Sequence, residues 1–259
     1  MTKIKQSISW WSFVPNKMTA EEFLTVVADS GYDGVELAPP EYWQMILDYG
    51  LEIAAVGGHE SISDGLNRKE NFDRISAEIQ DSLENAVKLN IPNLICFSGN
   101  RAGLDDDLGA EITADALSRL APKAERAGVT LILELLNSKR NHPDYQCDTT
   151  DWGAKVIKSV NSPRVKLLYD VYHMQVMEGN VVDTIQNNYN LIAHYHTAGC
   201  PGRNELDNEQ ELFYPAIFRA IARTGYNGYI GHEFIPRQNA AESIRSAHAL
   251  CRDSLSRPK

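Results

Sequence analysis

Short apolar runs rich in β-branched residues alternate with longer amphipathic segments along the whole chain. This alternation is typical of βα units, in which helices join parallel strands. Eight strands are predicted, and they read IKQSISW, DGVELA, EIAAVGG, NLICFSG, TLILELL, VKLLYDV, IAHYHTA and YIGHEFI. Eight strands in 259 residues favour an α/β fold of the (β/α)8 TIM barrel type over an open doubly wound sheet. No linker-like or low-complexity stretch divides the chain, so we predict a single domain over residues 1–259.

Helical patterns fill the segments between the predicted strands. The first begins with Thr19, has Glu22 three residues later as a capping box, and ends at Gly31. The other helices are predicted at residues 41–50, 71–90, 112–128, 149–160, 181–192, 213–225 and 240–255. The loop after the first strand reads WWSFVPNK and lacks the Gly-x-Gly-x-x-Gly pattern of a dinucleotide-binding domain.

Charge limits the kinds of partner that are expected, and cysteine spacing and apolar runs indicate where the protein is expected to occur. The formal net charge is -10 and no Lys/Arg cluster is present, which argues against binding nucleic acid or an anionic membrane. A small molecule is the expected partner. The four cysteines lie far apart without a Cys-x-x-Cys pair, so we expect reduced thiols. No apolar run approaches the roughly 20 residues that cross a bilayer, and a soluble, cytoplasmic protein is expected.

The last four predicted strands each end with a residue that can bind a metal, and these residues are Glu134, Asp170, His196 and Glu233. A single acidic residue at a strand end is more often a helix N-cap or a solvated loop carboxylate. In a barrel, however, successive strands are neighbours and their carboxyl ends form the active face. The four side chains would then form an arc that holds one divalent cation. Three carboxylates and one imidazole favour Mn2+, Mg2+ or Co2+ over a structural zinc ion.

Further residues near the strand ends are candidates for the same face. His173, three residues after Asp170, is expected to lie in a loop over the barrel mouth and to bind a substrate oxygen, unless it is an ordinary loop histidine. Trp10 is a candidate for the substrate pocket wall, although either Trp10 or Trp11 is expected to serve only in packing. His59 is a further pocket candidate.

Three further residues at or near the strand ends are placed by strand position and by the alternation of side chains along a strand. Glu36 ends the second strand and is, like His59, a secondary pocket candidate for which a structural role is favoured. His194 faces the same way as His196 and is expected one layer lower in the barrel. His232 is expected to point outward against the helices, because Glu233 points inward.

The set of Glu134, Asp170 with His173, His196 and Glu233, together with GYDGVEL on the second strand, resembles the xylose-isomerase-like barrel superfamily of sugar isomerases and epimerases over essentially the whole chain. LELLNSK followed by CDTTDWGAKVI, and CPGRNE followed by ELFYPAIFRAI, are most similar to hydroxypyruvate isomerases. The resemblance implies that the four strand-end residues bind one divalent metal, that Glu134 and Glu233 are the catalytic acid/base pair, and that His173 and Arg203 bind substrate. It also implies a possible homo-oligomer. Asn204 stands where the family pattern has a histidine, and the segment NSKRNHPDYQCD lacks the Pro-Gly-aromatic step.

The predicted activity is a metal-dependent interconversion of an α-hydroxy carbonyl pair, such as hydroxypyruvate and tartronate semialdehyde or a related short oxo-acid. Arg203, or Lys139 and Arg140, would suit a carboxylate on the substrate. A ketose 3-epimerase and an inosose-dehydratase-like lyase would use the same metal site and remain alternatives. A non-catalytic sugar-binding barrel would not need both glutamates.

A DNA-binding barrel of the apurinic endonuclease type is less favoured. It would need a histidine at the end of the fourth strand and an Asp-x-His after the seventh. Here the fourth strand ends in CFSGN, and the loop after the seventh strand has no histidine beyond His196.

Overall fold

The computed structural model describes residues 4–256. Within that range all eight strands are parallel neighbours in one closed barrel, in chain order. The strands are β1 (Lys5–Ser9), β2 (Gly34–Glu36), β3 (Glu52–Gly57), β4 (Asn93–Cys96), β5 (Thr130–Glu134), β6 (Val165–Asp170), β7 (Ile192–Thr197) and β8 (Tyr229–His232). Each lies inside a strand predicted from the sequence, so the (β/α)8 barrel is confirmed.

Nine α-helices occur in the described part of the chain. They are α1 (Ala20–Ser30), α2 (Trp43–Asp48), α3 (Phe72–Leu89), α4 (Asp106–Ala127), α5 (Thr150–Val160), α6 (Val171–Met177), α7 (Val181–Asn188), α8 (Tyr214–Arg223) and α9 (Ala240–Ser256). The capping box of α1 is present as predicted, because the Thr19 side chain accepts from the Glu22 amide and the Glu22 carboxylate accepts from the Thr19 amide. Gly31 ends α1 in the left-handed conformation.

Helix α6 was not predicted, and the expectation that His173 lies in a loop was wrong. The helix begins directly after β6, so no turn residue separates strand from helix in the sequence. Asp170 makes this possible by serving as the N-cap: its Oδ1 atom accepts a hydrogen bond of 2.9 Å from the His173 amide. His173 is therefore held rigidly in the first turn of a helix.

The described residues form two compact units. One contains residues 4–54, 180–189 and 195–256, and the other contains residues 55–179 and 190–194. In the first unit, β1 pairs with β2 and β8, and Gly231 of β8 is opposite both Ser7 and His196. In the second unit, β5 pairs with β4 and β6. That the chain is a single domain over residues 1–259 stays a prediction.

His232 points outward into the helical layer of the first unit, as predicted. Its ring packs edge-on against Tyr32 at 5.8 Å and Phe218 at 6.2 Å. Its Nδ1 atom lies 2.8 Å from Thr197 Oγ1, and its Nε2 atom lies 3.1 Å from Gln6 Oε1. Both ring nitrogens are thus satisfied inside the protein, which identifies His232 as a packing residue.

The four cysteines are free and buried, in agreement with the expected reduced thiols. Burial raises the pKa of the Cys96 thiol to about 12, so Cys96 is an unreactive core residue. Among the helices of residues 4–256, none combines the length and apolar character needed to cross a membrane.

Candidate metal centre

Glu134, Asp170, His196 and Glu233, the four residues predicted as metal ligands, come together. Each offers one ligand atom, and these atoms all lie within 4.8 Å of one another. Glu134 and Asp170 are the last residues of β5 and β6, His196 is the penultimate residue of β7, and Glu233 directly follows β8. All four side chains are buried.

The chemistry of this donor set fits a divalent cation. Three carboxylates held so close together in a buried position repel one another strongly unless a positive charge offsets them. Carboxylate oxygens and one imidazole nitrogen are ligands suited to hard or borderline divalent ions. The structure therefore provides a cluster able to bind a metal.

Glu233 is fixed through both carboxylate oxygens. Oε1 accepts a hydrogen bond of 2.8 Å from the Trp11 indole, and Oε2 accepts one of 2.5 Å from Arg203 Nη2 and lies 3.1 Å from His196 Nδ1. Burial by itself raises the pKa of Glu233, but the charge of Arg203, aided by the hydrogen bond from Trp11, outweighs it, so the pKa lies well below its ordinary value. Glu233 is therefore held as a carboxylate, which is the form that can bind a metal ion or accept a proton.

Arg203 contacts Glu233 rather than standing free over the barrel mouth. Its side chain is only 12% exposed, and its guanidinium lies 5.2 Å from the centre of the Trp11 ring. The Arg203 backbone has a φ of +59°, a strained conformation for a residue with a side chain. The Ile235 amide bonds to its carbonyl at 2.7 Å and holds this loop conformation. That Arg203 binds substrate stays a prediction.

The two tryptophans after β1 have different surroundings. Trp10 is buried and packs against Phe23 at 5.4 Å and Tyr42 at 4.6 Å. Trp11 is 39% exposed and donates to Glu233. The sequence indicated that one of the pair serves in packing, but it did not distinguish them, and Trp11 makes the contact with Glu233. That Trp10 lines the substrate pocket stays a prediction.

His173 is oriented by the loop after β5. Its Nδ1 atom accepts a hydrogen bond of 3.0 Å from the Asn137 amide, so the ring proton is on Nε2 when His173 is neutral. Nε2 lies 3.7 Å from Asp170 Oδ2. Asn137 was not singled out from the sequence, although it follows the strand-end glutamate by three residues. His173 as a substrate-binding residue stays a prediction.

The two other basic candidates lie on the same loop. Lys139 is exposed, and its ammonium group bonds to the Val176 and Met177 carbonyls at 3.3 and 3.0 Å. Lys139 thus caps the carboxyl end of α6. Arg140 is exposed, and its amide donates to the Asn137 side chain.

His59 is tied to the main chain after β4. Its Nε2 atom accepts a hydrogen bond of 2.9 Å from the Phe97 amide. Among the described residues its Nδ1 atom has no hydrogen-bond partner. Burial lowers the pKa of His59 to about 4, so the ring is neutral near pH 7. Its predicted contact with substrate remains a prediction.

The low pKa of His59 leads to a testable dependence of stability on pH. The unfolded chain binds a proton at this histidine near pH 6.5, whereas the folded chain does not until about pH 4, so acid favours the unfolded state. Between pH 7 and pH 5, the free energy of unfolding of the wild type is expected to fall by about 2 kcal/mol more than that of His59→Gln. Urea denaturation across this range measures the difference, and parallel pH profiles would contradict the assignment.

Family comparison agrees with this geometry. The sequence profile of the xylose isomerase-like TIM barrel matches residues 24–253. The chain belongs to this family. Its resemblance to that superfamily, inferred from the strand-end residues, is thereby confirmed.

Two relatives carry isomerase names. The chain is 30% identical to the 2-oxo-tetronate isomerase of Pectobacterium atrosepticum, over 84% of this chain and 87% of the relative. It is 27% identical to the hydroxypyruvate isomerase of Escherichia coli, over 65% of this chain and 66% of the relative. Both names agree with the predicted class of enzyme.

Among solved structures, the AP endonuclease, family 2, of Brucella melitensis superposes with a TM-score of 0.80 and 25% identity, over 94% of this chain and 97% of that one. The D-psicose 3-epimerase of Clostridium cellulolyticum superposes with a TM-score of 0.79 and 20% identity, over 97% and 99% of the two chains. The epimerase comparison establishes a shared fold.

A three-metal site of the endonuclease type is not assembled by the described residues. In residues 4–256 the groups able to hold a metal are the four-ligand cluster and a second group of Glu36, His194 and His196. Both groups contain His196, so they are adjoining sets of ligands. The fourth strand ends at Cys96 and contributes no histidine.

Proposed function

We propose that this protein is a divalent-metal-dependent isomerase that interconverts an α-hydroxy carbonyl pair on a short oxo-acid. The observation that carries the proposal is the buried cluster of three carboxylates and one imidazole with ligand atoms within 4.8 Å of one another. The similarity to relatives named 2-oxo-tetronate isomerase and hydroxypyruvate isomerase supports this class of substrate. We propose Mn2+, Mg2+ or Co2+ as the metal.

The reaction requires removal of a proton from a carbon that carries a hydroxyl group next to a carbonyl. A bound divalent ion would supply Lewis-acid stabilisation of the negative charge that develops on the substrate oxygens. Glu134 and Glu233 are the proposed acid/base pair: one carboxylate removes the proton and the other returns a proton to the neighbouring carbon. The low pKa of Glu233 makes it the better candidate for the group that begins the cycle unprotonated.

The remaining residues orient the substrate in this proposal. His173, with its Nδ1 atom occupied by the Asn137 amide, would offer Nε2–H to a substrate oxygen. Arg203 lies against Glu233 at 2.5 Å and would place a guanidinium beside a substrate carboxylate. Trp11 would shield the reacting carbons from water, since it is the exposed tryptophan that contacts Glu233.

A substrate panel tests the proposal. The Mn2+-loaded protein is assayed with hydroxypyruvate, 2-oxo-tetronate and D-psicose, and products are identified by NMR. Conversion of hydroxypyruvate to tartronate semialdehyde, or of 2-oxo-tetronate to its 3-oxo isomer, is expected, with kcat/KM for that acid at least about tenfold above that for the ketose, because only the acid pairs with a guanidinium. Turnover of the ketose alone would replace this proposal with a 3-epimerase, and loss of water from the substrate would replace it with a lyase.

A further inference from the structure

Glu36 is a buried carboxylate that the proposed reaction does not use. It ends β2 and is completely shielded from solvent. Its Oε1 atom accepts a hydrogen bond of 3.2 Å from Ser7 Oγ, and its Oε2 atom lies 3.4 Å from His196 Nε2. A buried carboxylate is costly unless polar groups pair with it, and the groups that face Glu36 include a hydroxyl and the imidazole of a proposed metal ligand.

Gly231 makes room for this carboxylate. A Cβ atom at position 231 would lie 1.8 Å from Glu36 Oε1 and 3.0 Å from His196 Cδ2. The residue is opposite both Ser7 and His196 in the sheet, so any side chain there would occupy the space that Glu36 fills. Glycine at this position of β8 is therefore required by the contact between Glu36 and His196.

The two ring nitrogens of His196 face different carboxylates. Nε2 faces Glu36 at 3.4 Å, and Nδ1 faces Glu233 at 3.1 Å. Nδ1 therefore lies against another member of the four-ligand cluster. A neutral imidazole that donates Nε2–H to a carboxylate carries its lone pair on Nδ1.

We propose that Glu36 is a positioning residue that holds His196 in the Nε2–H tautomer, with Nδ1 directed at the metal. The inference rests on the metal site of the proposed function, but not on the substrate. A carboxylate behind a histidine ligand fixes the ring and raises the basicity of the ligating nitrogen, and loss of such a partner costs roughly 10- to 100-fold in metal affinity. Gly231 is the residue that allows the carboxylate to reach this position.

Metal affinity is the first readout. Mn2+ binding is titrated by electron paramagnetic resonance for the wild type, Glu36→Gln, Glu36→Ala and the control Asp33→Asn. Asp33 lies just before the same strand, and its carboxylate accepts from the Gln6 amide, so this control removes an acidic group away from His196. One ion per chain is expected throughout, with Kd raised about 10- to 100-fold in Glu36→Ala, raised less in Glu36→Gln, and unchanged in the control.

The Nε2–H group of His196 is the second readout. Nitrogen and proton NMR of the Mg2+-bound protein, assigned by loss of the signal in His196→Asn, is expected to show a strongly hydrogen-bonded Nε2–H in the wild type and a weakly hydrogen-bonded one in Glu36→Ala. Gly231→Ala retains Glu36 but displaces it, and is expected to reproduce both effects. Thermal unfolding of each variant establishes whether it is folded. If Glu36→Ala is not folded, Glu36→Gln, which preserves the side-chain volume, takes its place.

Three results would overturn the inference. Mn2+ affinity within about twofold of the wild type in every folded Glu36 variant would show that the carboxylate does not act on the metal site. An unchanged Nε2–H signal in Glu36→Ala would show that it does not act through His196. Two Mn2+ ions in the wild type and one in Glu36→Ala would make Glu36 a ligand of a second ion, with His194 and His196. Because the probe is the metal alone, failure to isomerise any oxo-acid would refute the proposed function and leave this inference standing.

Discussion

Replacement of Glu134 by glutamine is expected to lower kcat/KM for the oxo-acid by about 1000-fold or more. Glutamine preserves the length of the side chain but cannot accept a proton, and general acid/base catalysis contributes typically 10²- to 10⁴-fold. Glu233→Gln is expected to have an effect of the same order. Because both residues serve one proton-transfer sequence, the double variant is expected to be little worse than either single variant.

The matched control for these variants is Glu52→Gln. Glu52 is the first residue of β3, whereas Glu134 is the last residue of β5, and Glu52 pairs with Lys5 on the surface. Its replacement is expected to change kcat/KM by less than about twofold, since exposed ion pairs contribute little. If either Glu134→Gln or Glu233→Gln retained more than a tenth of wild-type kcat/KM while binding metal, the two-glutamate mechanism would be refuted.

Metal removal is expected to abolish activity and to destabilise the protein. At a Mn2+ concentration 1000 times Kd, binding adds about 4 kcal/mol to the free energy of unfolding. Asp170→Asn is expected to weaken Mn2+ binding by more than about 100-fold, since even loss of a ligand's supporting contacts costs 10- to 100-fold. The metal-free variant is nevertheless expected to be at least as stable as the metal-free wild type, because one of three mutually repelling buried carboxylates is removed.

Asparagine at position 170 removes the negative charge of Asp170 but keeps its capping role. Asp170 caps α6 through the His173 amide, and asparagine is an equally good N-cap. Chemical denaturation with and without Mn2+ measures both effects. If the metal-free Asp170→Asn protein were less stable than the metal-free wild type by about 2 kcal/mol or more, repulsion among the three carboxylates would not be what limits the stability of the metal-free protein.

The strand pattern of the barrel was readable because buried parallel strands are continuous apolar runs between amphipathic helices. Helix α6 was not readable, since VYHMQVM follows β6 without a turn and its only start signal, Asp170, belongs to the strand end. Helix α4 begins at Asp106, six residues before the predicted start, with Asp105 as its N-cap. Polar residues of its first turn masked the apolar periodicity on which the prediction depended.

The metal ligands were predictable because topology alone brings the ends of successive barrel strands together. Their supporting contacts were not. The bond from Trp11 rather than Trp10 to Glu233 depends on how the chain turns after β1, and the contact of Glu36 with His196 depends on Gly231 three residues into β8. Such contacts join residues far apart in the sequence, and no local pattern encodes them.

The most direct test of the proposed function is proton exchange in D2O. Metal-reconstituted protein is incubated with hydroxypyruvate, and deuterium entry into substrate and product is followed by NMR, with Glu134→Gln and Glu233→Gln alongside. We expect metal-dependent deuterium entry and the appearance of tartronate semialdehyde in the wild type, and neither in the variants. Isomerisation that persists in both variants, or that proceeds without exchange or without metal, would contradict proton transfer between two glutamates at this site.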